Sequence, residues 1–324
     1  MAGGGWRMNA IKLVNKKNLS REDWLKWRQK GIGGSDAAAV AGLNRWRSPL
    51  SVWLDKTGQT EPIEENERMY WGTQLEEVVA REFTKRTGKK VRNVNYILGH
   101  ADYDFMLVNV DRLVVGEKAG LECKTTSVYS ADKWTEDEVP PEGFLQCQHS
   151  MAVTDFVRWY LAVLIGGQEY RCFVVDRDDE AIKHLIKIES EFWDKVVNME
   201  MPSPDGSKDA DDVLDNLYTF VKQEEIYLPP ENKGWVQQYL EAHENMKDAE
   251  KRKKEAQQQL KQSLGEFHKG FVDNFEVGWV NSVSRRLDSK TLKDQYPKIY
   301  DKFVVESQQR RFSIKKLKKE SKNE

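Results

Sequence analysis

The sequence predicts an α/β protein, a mixed central sheet flanked by helices, followed by a mainly helical C-terminal extension. Three features of the 324 residues carry that expectation. Up to about residue 200, capped amphipathic segments alternate with β-rich segments separated by glycine turns. The run Pro202-Ser203-Pro204-Asp205-Gly206-Ser207 is then pure turn chemistry. Beyond it, apolar residues recur at the spacing of one long helix. The expected division is an α/β domain over residues 1–204 and an extension over 205–324.

The elements follow in order. Ser20 caps a helix ending before Gly31, with Asp23 at capping-box spacing and Trp24, Leu25, Trp27 and Arg28 filling its turns. Gly31-Ile32-Gly33-Gly34 reads as a loop, and Ser35 or Asp36 caps the next helix, Ala37 to about Leu43. Helices are expected from about Pro49 to Lys56 and from about Met69 to Thr87, the second stopped by Gly88. Strand signals begin at Val91. Phe105 to Asp111, Leu113-Val114-Val115 and, after a turn from Gly116 to Gly120, Leu121 to Thr125 read as adjacent antiparallel strands. After Pro140-Pro141, Phe144 to Ala152 is helical. Arg158 to Ile165 and Glu169 to Val175 pair across Gly166-Gly167, and Asp178 to about Met199 is a charged amphipathic helix.

In the extension, Trp235, Tyr239, Ala242, Met246, Ala249, Lys253, Ala256 and Leu260 alternate in steps of four and three, the period of a coiled-coil seam. A strand-like piece from Phe271 to Val283 and a short helix near Thr291 to Phe303 come next. Residues 306–324 form a basic tail, with seven Lys or Arg against three Glu.

Composition narrows the function classes. Lys and Arg total 51 against 53 Asp and Glu, so any nucleic-acid binding must come from a local basic surface. Cys123, Cys147 and Cys172 are odd in number and lack CxxC spacing, which argues against a disulfide framework, a zinc ribbon and a cysteine-held iron–sulfur cluster. A reducing, cytoplasmic setting fits, with no membrane association, since no apolar run approaches the roughly 20 residues of a spanning helix. Gly3, Gly4 and Gly5 are treated as a lead-in outside the fold.

The chemistry-bearing pattern is Asp111 followed by Glu122-Cys123-Lys124. Residues i and i+2 of a strand share a face, so Glu122 and Lys124 project together. Hairpin pairing brings Asp111 beside them, and two close carboxylates repel unless a cation lies between them. Hard oxygen donors select Mg²⁺ or Mn²⁺, and the Cys123 backbone carbonyl can add a ligand. Such an ion polarises a phosphodiester and acidifies a water, while Lys124 positions the water or steadies the developing oxyanion. Glu-x-Lys also occurs at Glu231/Lys233 and Glu320/Lys322, in neither case after an Asp-bearing strand. Spacing alone leaves open an exposed, salt-bridged strand at 122–124.

Other segments discriminate. Leu25-Lys26-Trp27-Arg28-Gln29-Lys30-Gly31-Ile32-Gly33-Gly34-Ser35-Asp36, Trp71-Gly72-Thr73-Gln74-Leu75-Glu76, Asn109-Val110-Asp111 with Leu121-Glu122-Cys123-Lys124, and Gln146-Cys147-Gln148-His149-Ser150-Met151 resemble, in this order, the motifs of YqaJ-type viral recombinases. These are relatives of lambda exonuclease in the PD-(D/E)xK nuclease superfamily. The resemblance covers roughly residues 20 to 200 and implies a restriction-endonuclease-like core. By that resemblance Asp111 and Glu122 hold the metal, Lys124 serves the attacking water, Glu76 completes a second metal or water site, and Gln148 contacts the scissile region. Arg28 and Ser35 grip the 5′-phosphate of the degraded strand. Two ions per site are implied, with 5′→3′ exonuclease action on linear double-stranded DNA, 3′ overhangs for a single-strand annealing protein in phage or prophage recombination, and a homotrimer.

Two rivals stand beside this reading. The same metal site could serve a structure- or site-specific endonuclease. Alternatively the chain is a DNA-binding scaffold whose long helix and basic tail are the working parts. His100 and His149 read as structural, and Trp46, Trp53 and Trp71 as core aromatics rather than base-stacking groups. The role of residues 205–324 does not follow from their sequence.

Overall fold

Residues 8–60, 66–135, 138–306 and 310–316 are described by the computed structural model; the Gly3–Gly5 lead-in and much of the basic tail lie outside them. The elements in chain order are β1 (Ile11–Asn15), α1 (Arg21–Gln29), β2 (Ile32–Gly33), α2 (Gly34–Val40), α3 (Pro49–Lys56), α4 (Glu67–Thr87), β3 (Val91–Asn93), β4 (Tyr96–Gly99), β5 (Met106–Val108), β6 (Arg112–Val114), β7 (Ala119–Thr126), α5 (Pro141–Thr154), β8 (Arg158–Ile165), β9 (Glu169–Asp176), α6 (Asp179–Val197), α7 (Lys208–Leu217), α8 (Asn232–Leu264), β10 (Lys269–Val272), β11 (Phe275–Gly278), α9 (Ser289–Gln295) and α10 (Pro297–Phe303). They fall into two compact units, Met1–Thr219 and Phe220–Glu324.

Helix boundaries follow local chemistry. Ser20 Oγ accepts the Asp23 N–H at 3.1 Å and opens α1. Ser48 Oγ accepts the Ser51 N–H at 3.1 Å ahead of Pro49, whose lack of an N–H costs nothing at a helix start. Gly88 ends α4 at φ +70°, a left-handed conformation that a β-carbon would strain.

The first unit holds two mixed sheets. One runs β1-β4-β5-β2 and the other β3-β6-β7-β8-β9, with β2–β5 and β7–β8 the parallel pairs. Strand β8 is buried on both faces. Trp159, Leu161, Val163 and Ile165 join the main core with Cys147 and Met151 of α5. Tyr160 and Ala162 pack with Leu121 and with Val79, Ala80 and Phe83 of α4. The five-stranded sheet is therefore sandwiched between α4 and α5.

The antiparallel ribbon expected from Phe105 to Thr125 is divided differently. Strand β5 belongs to the four-stranded sheet and β6 to the five-stranded one, so Asn109, Val110 and Asp111 form the crossing between sheets. The expected loop at 31–34 instead contains β2, because the Ile32 N–H reaches the Phe105 carbonyl at 2.6 Å. Gly31 permits that approach: a β-carbon there would lie 2.4 Å from the same carbonyl oxygen. Helix α2 starts earlier than expected. Its N-cap is Gly33, and Ser35 lies within the first turn rather than capping it.

The expected boundary at 204/205 moves to 219/220. Helix α7 belongs to the first unit because Asp209 accepts the Ser48 N–H at 2.7 Å and the Ser48 and Ser51 hydroxyls at 2.6 Å each. In the second unit, the long helix is present as α8. The strand-like piece is the hairpin β10–β11, and the last helix is broken before Pro297 into α9 and α10. The seam residues Trp235, Tyr239, Met246 and Leu260 are exposed. Among the described residues no helix is long and apolar enough to cross a membrane.

Candidate active site

Strand pairing builds the site. Arg112 lies opposite Leu121 and Leu113 opposite Gly120, so the same register continued sets Asp111 across from Glu122. Along β7, Leu121 faces α4, and by alternation Glu122 and Lys124 face α5. There Lys124 Nζ lies 2.9 Å from Glu122 Oε1 and donates to Gln146 Oε1 at 2.7 Å, while Gln146 Nε2 donates back to Glu122 Oε1 at 2.6 Å. The three side chains form a closed triangle. Asp111 Oδ2 accepts the Cys123 N–H at 2.8 Å. A strand residue's N–H and C=O point to the same edge, so the Cys123 carbonyl lies on the Asp111 side.

The electrostatics are those of a site short of positive charge. Burial, with the negative charges of Glu122 and Glu76, pushes the Asp111 carboxyl well above the ordinary carboxylate range. Burial opposes the charge on Lys124, but Glu122 and Asp111 outweigh it and hold the ammonium above its usual value. Burial and the same carboxylates raise the Cys123 thiol, so it is no nucleophile. Among the described residues no three His, Cys, Asp or Glu side chains form a ready metal cage. Two carboxylates and a carbonyl are a partial oxygen set that suits a hard cation retaining several waters, and the raised Asp111 is what such a cation would relieve.

Asp111, Glu122, Lys124, Arg28 and Ser35 all line one cavity of about 200 Å³, together with Trp24, Gly34, Asn109 and Gln146. Arg28 stands with its guanidinium 5.1 Å from the Trp24 ring centroid and 3.4 Å from Asp36. The expected places of two other residues change. Glu76 rises from α4, on the opposite face of the sheet, where Arg112 bonds it and also Glu77 at 2.9 Å; it acts on Asp111 through charge. Gln148 does not face the cavity. It is fully buried, its amide donating to the Asp176 carbonyl at 2.9 Å and accepting the Asp178 N–H at 3.0 Å, so it ties α5 to the start of α6. Gln146 occupies the position expected for it, since residues two apart on a helix point in nearly opposite directions.

Behind the cavity is a cluster that the motifs did not reveal. Asp36 is wholly buried and accepts from Arg47 at 2.5 Å and from Lys56 at 2.7 Å, and its Oδ2 takes the Gly33 N–H at 3.2 Å. Burial alone would raise its carboxyl, but Lys56, Arg47 and Arg28 outweigh burial and hold it far below the usual range. His100 and His149 are held by structural hydrogen bonds. His100 Nδ1 accepts the Asp102 N–H at 3.0 Å, and His149 lies 2.8 Å from both Glu189 and the Leu107 carbonyl.

Residues 23–157 match the YqaJ-like viral recombinase domain. Over 311 residues the chain is 43% identical to the uncharacterised protein YqaJ of Bacillus subtilis (strain 168), spanning 94% of this chain and 97% of that protein. The chain belongs to the YqaJ-like viral recombinase family. It is also similar to an alkaline exonuclease from Laribacter hongkongensis, at 21% identity and TM-score 0.48 over 55% of this chain and 94% of that one. A phage-related exonuclease from Haemophilus somnus 129PT is similar at 12% identity and TM-score 0.43, over 54% and 99% of the two chains.

Proposed function

We propose that the protein is a divalent-metal-dependent deoxyribonuclease that degrades linear duplex DNA from its 5′ ends, leaving 3′ overhangs. The observation that carries this reading is the meeting of Asp111, Glu122 and Lys124 with Arg28 and Ser35 in one cavity.

Asp111, Glu122 and the Cys123 carbonyl would hold Mg²⁺ or Mn²⁺, which supplies Lewis-acid polarisation of a phosphodiester and a more acidic water. Lys124, kept charged by its carboxylate neighbours, donates to the attacking water or to the phosphoryl oxygens as charge builds there. Gln146 holds the Lys124 ammonium and the Glu122 carboxylate in fixed orientation. Arg28 and the Ser35 hydroxyl receive a terminal 5′-phosphate, a match of cation and donor to dianion, and this sets the register of the strand to be cut. Surface Lys and Arg add phosphate contacts that weaken with salt.

Family membership supports a role in phage-type recombination, with the overhang passed to a single-strand annealing protein, and a ring-shaped homotrimer is the assembly that would keep the enzyme on DNA. The test is to incubate end-labelled linear and circular duplex with Mg²⁺ or EDTA. Mg²⁺-dependent shortening of linear DNA from the 5′ end, with intact circles, is expected. Cutting of circles would favour an endonuclease, and no cutting by parent protein would favour a scaffold.

A further inference from the structure

A second groove opens beside the catalytic cavity and has no part in the mechanism above. It has a volume of about 700 Å³ and is lined by Trp46, Trp71, Tyr129, Arg45, Arg68 and Thr125, among others. Three large aromatics there face solvent: Trp46 is 71% exposed, Trp71 52% and Tyr129 93%. Water-facing aromatics gathered in one concave surface are costly, and they mark a surface that something covers. Trp53, expected with them as a core residue, is indeed buried, its indole N–H bonded to the Lys195 carbonyl at 3.2 Å. Trp46 and Trp71 depart from that expectation.

Position and chemistry identify the occupant. Lys124 lines the catalytic cavity and Thr125, the next residue of β7, lines the groove. On α4, Leu75 lines the groove and Glu76 is the carboxylate whose charge reaches Asp111. Thr125 points to the α4 face, opposite Lys124, and Thr126 follows it into the same lining, so the groove lies around the C-terminal end of β7, within two residues of the catalytic lysine. Its aromatics stand mostly among cations and hydroxyls, with Leu75 and Leu164 the aliphatic side chains of the wall and Glu67 its carboxylate. The Arg45 guanidinium lies 4.5 Å from the Trp46 ring centroid, the Trp71 indole N–H is anchored on Glu67 at 3.0 Å, and Thr126, Ser127 and Ser130 complete the wall. Flat π-faces for bases with arginines and hydroxyls for phosphates are the components of a single-strand nucleic-acid platform. A protein segment would be met by aliphatic pockets or a free strand edge instead.

We propose that this groove holds unpaired DNA, its bases stacked on Trp46, Trp71 and Tyr129, next to the phosphodiester being cut. The inference rests on the nuclease reading and deepens it. Bases that are unpaired at a resected end lose their neighbours, and stacking on protein aromatics replaces the stacking they lose. Because every base has a π-face, such a groove would accept any sequence.

The test is fluorescence anisotropy of labelled oligo(dT) with the full chain in EDTA, where no cleavage occurs. Relative to the parent, Trp71→Ala or Trp46→Ala should weaken binding by about tenfold, and the triple change with Tyr129→Ala by about a hundredfold or more. Trp71→Phe, which keeps an aromatic face, should retain most of the affinity, and a dT strand interrupted by abasic sites should bind the parent less tightly. Equal affinity of the triple variant and the parent, or of abasic and intact strands, overturns the proposal and leaves the groove to a protein partner. Hydrolysis of bis(p-nitrophenyl) phosphate by the parent with Mn²⁺ is measured separately. That ester is too small to need the groove, so its failure to react would count against the nuclease reading alone.

Discussion

Lys124 and Gln146 are joined by a 2.7 Å hydrogen bond across the space between β7 and α5, and each also contacts Glu122. The contact fixes the ammonium at the edge of the cavity that Asp111 and Arg28 share. It also separates two glutamines that the motif alone does not. Gln146→Ala should lower nuclease activity while changing stability little, because it is only partly buried. Gln148→Ala should cost about 1–3 kcal/mol per buried backbone group left unpaired, with activity per folded molecule largely kept. Paired kinetic and denaturant measurements on the two variants check this, and the reverse pattern would refute it.

Asp111 makes a prediction about stability. Its carboxyl is raised in the folded protein, so the native state binds a proton there more readily than the unfolded chain does. Stability of the metal-free protein should therefore rise as pH falls through that raised value, and above it the ionised carboxylate costs stability. Asp111→Asn should raise the metal-free Tm by a few degrees, where about 1 kcal/mol moves Tm by roughly 2–4 °C in a domain of this size. Mg²⁺ should raise the Tm of the parent and not of the variant. Calorimetry with and without Mg²⁺ decides it.

Asp36 works with the opposite sign. Its depressed carboxyl contributes stability that is fully present above the ordinary range near pH 4 and is lost as pH falls below it toward the folded value. Asp36→Asn would leave Lys56 buried without its partner and should destabilise by about 3–5 kcal/mol. It should also flatten the acid limb of the stability curve, which urea titrations across pH 2–7 would reveal.

Arg28 bears on the choice of DNA end. Its guanidinium is half-exposed at the cavity, so Arg28→Ala should fold normally. The ratio of digestion rates for 5′-phosphorylated and 5′-hydroxyl duplexes should drop by about 10–100-fold, the value of one charge-assisted hydrogen bond. An unchanged ratio would remove Arg28 from that role.

Much of this architecture is legible in local sequence, and the exceptions have physical causes. Helix α3 is bounded by Ser48 and Pro49 at one end, signals that act within a few residues, and α4 stops at Gly88 as expected. The split of the Phe105–Thr125 ribbon between two sheets depends on long-range partners, Ile32 for β5 and Leu121 for β6. Helix α7 carries readable signals, Ser207 as cap and acidic residues in its first turn, but the proline-rich run before it reads as an ending. Asp36 looks like an N-cap, and only the fold shows that Arg47 and Lys56 converge on it. The pair Asp111 and Glu122 is legible because an antiparallel hairpin has a fixed register. The face of α5 is not, since Gln146 and Gln148 sit in a helix with buried residues on most sides.

The most direct measurement is anomalous scattering from a crystal soaked in Mn²⁺. A peak bonded to the carboxylates of Asp111 and Glu122 and to the Cys123 carbonyl, absent in Asp111→Asn, is the predicted result. Well-ordered Asp111 and Glu122 with no peak at saturating Mn²⁺ would contradict the assignment of this corner of the sheet as a metal-dependent nuclease centre.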